Sequence, residues 1–310
     1  MTNKNSLVSV IINVHNGEKY LNECIQSVIS QTYIHLEIIL YDNYSTDNSN
    51  RVIFSFNDKR IKYYKSNKFL KLGEARNNAL EVASGEYIAF LDCDDLWMPT
   101  KLEKQIKCFN KSEIGFVICN SVFFNNKGHK KILYKCKPPL GKVFSNLISN
   151  YFISLETVLI KKSYLDKLDQ KFNINFQMIE EYDLFLRLSL ICELDYFDEV
   201  LAKWRVHEES WTWKKQDLFY KEKKILIQNL NKLIPNFQFK FKKEIYYYVR
   251  QYELEESVFN LRLGNNIKAR KILKKYALDG FKWFIIYLCT FIGIKFYEFL
   301  FTLRGHVKPN

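Results

Sequence analysis

The densest concentration of chemistry in the chain is Asp92-Cys93-Asp94-Asp95, three carboxylates within four residues, directly after the apolar run Tyr87-Ile88-Ala89-Phe90-Leu91. Like charges ~4 Å apart repel by about 1 kcal/mol in water and by more where water is scarce. Such a run needs either a strongly solvated turn, in which the acids cap the next helix, or a cation. A hard ion, Mg²⁺ or Mn²⁺, suits the second reading, because it takes one or two carboxylates and completes its shell with substrate phosphates. The position at a strand end favours the cation.

Four further clusters carry polar chemistry. Asn13-Val14-His15-Asn16 can wrap a nucleobase with backbone groups and a flat side chain, although Asn is common in any strand-to-helix turn. Asp42-Asn43-Tyr44-Ser45-Thr46-Asp47 offers acceptors to a base or ribose, and a helix cap alone accounts for it equally well. Glu180-Glu181-Tyr182-Asp183 opens an amphipathic stretch, where the helix dipole favours acids whether or not one of them works as a general base. Arg205 and His207 alternate on a strand and can meet phosphate oxygens; an exposed polar edge strand is the plainer reading.

These clusters need a scaffold that brings them together. Residues 7–13 form a β-branched run, and 20–30 carry apolar residues at helical spacing. The alternation continues with strands at 36–41, 61–64 and 87–91, a helix running toward Phe56, and another over 74–83 stopped by Gly85. That order predicts an α/β fold with a mostly parallel, Rossmann-like sheet, in which ligands lie beyond the carboxyl ends of the strands. The polar clusters fall at those ends. After a helix over 101–109, strands at 117–124 and 131–134 around Asn125-Asn126-Lys127-Gly128 suggest an inserted hairpin and a small mixed-sheet extension. A helix over 179–191 and a strand over 199–206 follow, and lysine-rich helices occupy 217–234, 242–263 and 267–278. We expect a catalytic domain over 1–212, with a nucleotide-binding half of about 1–110 and an acceptor half of about 111–212, and a helical C-terminal region over 213–310.

Bulk properties narrow the partners. The formal charge of +13 points to an anionic partner, and the choice lies among nucleic acid, an anionic lipid surface and a phosphorylated substrate. Nucleic acid is not expected, because much of the basic excess lies in the tail and no recognised motif accompanies it. A dehydrogenase is disfavoured, since no GxGxxG follows the first strand. The seven cysteines include no CxxC pair, and the apolar run after the polar start is too short for a signal-peptide core, so a cytoplasmic location is expected. Residues 283–294 carry no charge, yet a spanning helix needs ~20 apolar residues. Segment 281–303 therefore reads as an interfacial helix on an anionic membrane surface or as a segment buried against the catalytic domain.

Together the segments resemble the family 2 glycosyltransferases, which have a GT-A fold. VSVIINVHNGEKYLNECIQSVISQTYIHLEIILYDNYSTDNS is similar to that family's opening, GEARNNALEVASGEYIAFLDCDDLWMP to its middle, and EEYDLFLRLS with WRVHEES to its acceptor-side elements. The likeness spans roughly residues 8–210. It implies that Asp94 is a metal ligand with Asp92 near the ribose and diphosphate and Asp95 beside them, and that Glu181 is the catalytic base. Arg76 and Asn43 fall where the family contacts the nucleotide, and His207 where a phosphate or metal contact is expected. The implied cofactor is Mg²⁺ or Mn²⁺, the donor a nucleoside-diphosphate sugar, and the acceptor a glycan or lipid-linked saccharide. The implied reaction is a single inverting displacement, probed against the alternative of a binding module that kept the fold and lost the chemistry. Four positions depart from the family's habit: Glu181 stands for Asp, Asn43 for an acid, Asn13 for Pro and His15 for Tyr.

Overall fold

A computed structural model describes residues 5–125, 127–128, 130–210 and 215–303. The chain divides into two compact units, Met1–Phe144 with Phe152–Val206, and Ser145–Tyr151 with His207–Asn310. The boundary expected at 212/213 falls among residues outside the described set, as does Asn126 of the expected hairpin turn.

The first unit starts with β1 (Val8–Val14), buried along its whole length, as a strand covered on both faces must be. Helix α1 (Leu21–Ile29) turns Leu21, Cys24, Ile25 and Val28 inward at helical spacing. Then follow β2 (Leu36–Asp42), α2 (Ser49–Phe54), β3 (Ile61–Lys65), α3 (Leu72–Glu81) and β4 (Tyr87–Phe90), with β3, β2, β1 and β4 side by side and parallel. Beyond β4 the sheet becomes mixed. β5 (Leu96–Trp97), α4 (Lys101–Ile106), β6 (Ile114–Phe124) and β7 (Lys130–Ile132) come next, and α5 (Phe144–Ser149) belongs to the second unit from Ser145 onward. β8 (Leu159–Lys161), α6 (Lys162–Leu165), α7 (Glu180–Leu188) and β9 (Glu193–Arg205) complete the first unit. The strand order is β3-β2-β1-β4-β8-β6-β9-β5, with β7 paired to β6 as an antiparallel hairpin.

This is the α/β architecture expected, with three differences of detail. β5 and β8 hold two and three residues, too few for any periodicity to register. β9 begins at Glu193 rather than at 199, because register shifts near Cys119 and Asn120 let a polar stretch continue pairing with β6. Gly85 does not stop α3, which ends at Glu81. Its role is close approach: a Cβ there would lie 2.5 Å from the Ser9 backbone nitrogen and 2.6 Å from Ser9 Oγ.

The second unit contains helices Gln216–Leu233, Phe237–Lys240, Lys242–Arg262 and Asn266–Leu273, in close agreement with the lysine-rich patterns. The apolar tail forms two helices, Phe281–Ile292 and Ile294–Leu303, separated at Gly293 with φ +109°. Trp283 and Ile286 pack with Leu273 and Tyr276 into a small core of that unit. None of the described helices is long and apolar enough to cross a membrane.

The tight fit at Gly85 yields a stability prediction. Gly85→Ala drives a methyl into the β1 backbone, which overpacking places at a loss of about 1–3 kcal/mol. Urea unfolding should show a lowered midpoint with an unchanged slope, and an unshifted midpoint would contradict the contact.

Candidate active site

The register fixes the edge on which the polar clusters meet. Val14 lies opposite Asp42, and Ile11 opposite Phe90, so β1, β2 and β4 deliver their following loops to one side of the sheet. The acidic loop leaves β4 first, with the Leu91 N–H donating to the Ile11 carbonyl at 3.0 Å and the Asp95 N–H closing a turn onto the Asp92 carbonyl at 3.0 Å.

Two arginines hold that loop. Arg76, on α3 and only 2% exposed, donates from Nη2 to Asp92 Oδ1 at 2.9 Å and from Nη1 to Glu180 Oε1 at 2.8 Å. Its guanidinium lies 5.5 Å from the centre of the Phe172 ring. One buried cation thus ties the acidic loop to the first residue of α7. Arg205, at the end of β9, donates its backbone N–H to Asp95 Oδ1 at 2.8 Å and its Nε–H to the Asp94 carbonyl at 2.9 Å, while Nη2 donates to Glu23 at 2.8 Å. The Tyr20 and Phe124 rings flank its guanidinium at 4.5 and 4.7 Å. Arg205, read from sequence as able to meet phosphate, is engaged in shaping the loop.

The three carboxylates consequently differ. Asp95 is buried and turned toward β9; burial pushes its carboxyl well above the usual range, with Asp94 and Glu156 nearby adding to the effect. Asp92 is about half exposed and offers one oxygen to Arg76. Asp94 is partly exposed. Glu181, next to the Arg76-bound Glu180, is also partly exposed. Burial pushes its carboxyl up to about 8; Arg76 opposes the rise, while Glu180 and Asp92 reinforce it.

The remaining clusters divide between surface and scaffold. Asn16, at φ +53°, accepts from the Thr46 N–H at 2.8 Å, and its own N–H donates to Ser45 Oγ at 3.1 Å. The Glu18 N–H donates to Asp47 Oδ2 at 2.9 Å and Glu18 Oε2 accepts from the Asn48 N–H at 2.7 Å, so the β1 and β2 loops are laced into one surface. Asp42 is fully buried, accepting from the Ser45 N–H at 2.8 Å and the Tyr63 hydroxyl at 2.9 Å, with Lys65 at 4.0 Å. Asn43 uses both ends of its amide on one residue, donating to the Leu70 carbonyl and accepting from the Leu70 N–H, each at 2.9 Å. An aspartate at this position has no donor for the first of those bonds. His15 meets the Asn43 carbonyl through Nδ1 at 2.9 Å and sits 4.6 Å from the Phe69 ring, which is itself exposed. Asn13, at the end of β1, is 9% exposed with no hydrogen-bond partner for its side-chain nitrogen. His207 opens the second unit, where the Ser210 N–H donates to its carbonyl.

The structure thus gathers Arg76, Asp92, Asp94 and Glu181 into one constellation, with Asn13 near the end of β1 and His15 and Asn43 on the neighbouring loops. Asp42 and Asp95 face into the scaffold, and the exposed Asn16 is bonded to the β2 loop. Sequence reasoning passed over Glu180 as the arginine's second partner and Phe69 as the ring beside His15. The repeated acids at 180 and 181 were the only signal for the first, and nothing in the local pattern announced the second. Among the described residues no group of three or more His, Cys, Asp or Glu side chains is arranged to hold a metal ion. Asp94 with Asp92 supplies an all-oxygen set of one or two carboxylates, which fits Mg²⁺ or Mn²⁺ when a diphosphate provides the rest.

The architecture is that of GT-A proteins. The structure superposes on S. aureus TarS 1–349, crystallised with UDP-GlcNAc, with a TM-score of 0.67 and 18% identity, covering 87% of this chain and 80% of that one. It also superposes on the mannosyltransferase PcManGT from Pyrobaculum calidifontis, determined with GDP-Man and Mn²⁺, with a TM-score of 0.59 and 18% identity over 88% and 76% of the two chains. At that identity the likeness establishes fold. Residues 9–173 match Glycosyl transferase family 2, and the chain belongs to that family. It is 35% identical over 186 residues to the Escherichia coli UDP-Glc:alpha-D-GlcNAc-diphosphoundecaprenol beta-1,3-glucosyltransferase WfgD, covering 60% of this chain and 70% of that protein. An uncharacterized glycosyltransferase of Rickettsia typhi is 35% identical over 223 residues, covering 66% of each chain.

Breaking the arginine bridge should be costly. Arg76→Ala leaves the buried Glu180 carboxylate without its guanidinium, and removing one partner of a buried pair costs about 3–5 kcal/mol. Urea unfolding measures the loss; a change below about 1 kcal/mol, the range of surface pairs, would show that the bridge contributes little.

Proposed function

We propose that the chain transfers a sugar from a nucleoside-diphosphate donor to a hydroxyl of a lipid-linked saccharide, with inversion at the anomeric carbon, in the assembly of a cell-surface polysaccharide. The observation that carries this reading is the Arg76 bridge, which places the acidic loop and the Glu181 helix start at one sheet edge. A displacement needs both: a group that manages the departing diphosphate and a base for the incoming hydroxyl.

Glu181 accepts the acceptor hydroxyl's proton as that oxygen attacks the anomeric carbon. The bond from that carbon to the diphosphate oxygen breaks, and its electron pair leaves with the diphosphate. Asp94 and Asp92 would hold a divalent cation, which when bound supplies positive charge beside the diphosphate. Arg76 orients the Asp92 carboxylate and fixes α7, so that Glu181 is delivered from a rigid element rather than from a loop. His15 and Asn13 flank the nucleotide from the β1 loop, and Asn43 holds that surface in shape through Leu70. The WfgD likeness supports a lipid-diphosphate saccharide as acceptor.

The base assignment has a pH signature. A base works deprotonated, and a carboxyl held at about 8 in the free protein is mostly protonated at neutral pH. Activity per enzyme at low donor concentration should therefore rise as pH increases through about 8, because kcat/KM reports the free enzyme. For stability the sign is opposite: a raised carboxyl favours the fold most below its unfolded value, and that contribution fades as pH rises toward 8. Glu181→Gln should reduce turnover by about 10²- to 10⁴-fold while nucleotide binding persists. A parent chain that binds nucleotide sugars yet turns none of them over would instead indicate a binding module.

A lipid-linked acceptor also gives a role to the second unit. Phe281, Phe291 and Ile292 are exposed on the first tail helix, with Lys274, Lys275, Lys282 and Lys295 in the same stretch. Apolar side chains rimmed by lysines suit an anionic lipid interface. Sedimentation with phosphatidylglycerol vesicles should carry the protein down, less so in high salt, and the double variant Phe281→Glu, Ile292→Glu should remain in the supernatant. Equal pelleting of that variant would remove the docking role.

A further inference from the structure

We propose that the donor's nucleobase stacks on Phe69 and that Asn43 positions this ring, an assignment that rests on the donor reading above. Phe69 belongs to the segment between β3, which ends at Lys65, and α3, which begins at Leu72. The segment leaves the carboxyl end of a parallel strand, the edge where such sheets bind ligands.

Hydrogen bonds anchor the segment on both sides of the ring. The Ser66 N–H donates to the Asp42 carbonyl at 2.8 Å, and Ser66 Oγ donates to the Lys68 carbonyl at 2.6 Å. On the other side the Asn43 amide pins Leu70, donating to its carbonyl and accepting from its N–H, each at 2.9 Å. The Asn43 carbonyl also meets His15 Nδ1 at 2.9 Å, so one residue sets both the Leu70 backbone and the imidazole. The Phe69 and His15 rings pack with centroids 4.6 Å apart and planes tilted by 55°. Leu70 is buried, whereas Phe69 keeps 46% of its surface exposed. A lone apolar side chain at a surface is ordinary. Phe69 differs in being tied down at both flanking positions and packed on a second ring at the ligand edge, and a group ordered in advance loses little freedom on binding.

The family resemblance points to Asn43 and Arg76 for the nucleotide contact, and the structure engages both elsewhere. Asn43 is buried with both ends of its amide on Leu70, and Arg76 is buried with its bonds to Asp92 and Glu180. Asp42 is buried too, accepting from the Ser45 N–H and the Tyr63 hydroxyl. With these polar side chains turned inward, Phe69 stays accessible beside the β1 and β2 loops. An aromatic ring recognises a base through its face, which every nucleobase offers and a diphosphate lacks. Base recognition thereby moves from hydrogen bonding at position 43 to stacking at position 69, with position 43 as the support.

Calorimetric titration with Mn²⁺ present tests the assignment, using UDP, GDP, CDP, dTDP and inorganic pyrophosphate. For the nucleotide that the parent chain binds best, Phe69→Ala should weaken binding by about ten-fold or more and Phe69→Tyr should stay within about two-fold, while pyrophosphate binds all three proteins alike. Asn43→Asp removes the donor to the Leu70 carbonyl. It should weaken the same nucleotide, and Phe69→Ala added to it should cost less than in the parent chain, because the ring is no longer held. Undiminished nucleotide binding by Phe69→Ala overturns the proposal. So does an equal loss of nucleotide and pyrophosphate, which would assign Phe69 to the shape of the edge. Tighter nucleotide binding by Asn43→Asp overturns it as well, returning base recognition to position 43. If Asn43→Asp does not fold, the two variants of the exposed Phe69 decide alone. A parent chain that binds none of these nucleotides defeats the donor reading itself, and this assignment with it.

Discussion

A single buried guanidinium organises the ligand edge. Arg76 has its charge balanced by Asp92 on one side and Glu180 on the other, and these two carboxylates belong to segments that the chain brings together only through the sheet. Glu180 is 4% exposed, whereas Asp92 keeps about half of its side chain in solvent. The bridge is therefore asymmetric. Its Glu180 arm fixes the helix, and its Asp92 arm holds a carboxylate that stays about half in solvent. Because the guanidinium is planar and donates in fixed directions, it sets the angle between the two elements as well as their separation.

Arg205 completes the support from the other side. By taking the Asp94 carbonyl and the Asp95 carboxylate onto β9, it settles how three acids can share a four-residue loop. One is drawn into the protein, one is tied to Arg76, and Asp94 lies between them. The scaffold thus divides the three carboxylates between interior and solvent, while Asp94 still adds to the raising of the Asp95 carboxyl. The same logic runs through the β1 and β2 loops, where side chains that resemble ligands in type, Asp42 and Asn16 among them, mainly hold backbone in place.

Much of this was legible in the chain, for identifiable reasons. The parallel half of the sheet showed because β1, β2 and β4 are short, mostly apolar runs separated by helices with clear spacing. Asp92, Asp94 and Glu181 were conspicuous because acids at element boundaries stand out against apolar surroundings. Their roles were harder to read, since partners lie far apart in sequence: Arg76 and Glu180 are 104 residues apart, and Asp95 and Arg205 are 110. No local pattern distinguishes an aspartate that will meet a metal from one that will meet the backbone of a distant strand. Gly85 was misassigned because a helix stop and a close strand contact demand the same residue.

The central claim is that the Arg76-tethered acidic loop is the diphosphate and metal side of a sugar-transfer site. Anomalous diffraction from crystals grown with Mn²⁺ and UDP tests it most directly. The account predicts a manganese peak in contact with Asp94, with the nucleotide's base by the β1 loop near His15. A peak away from the acidic loop, or a nucleotide bound off the carboxyl ends of β1, β2 and β4, would contradict it.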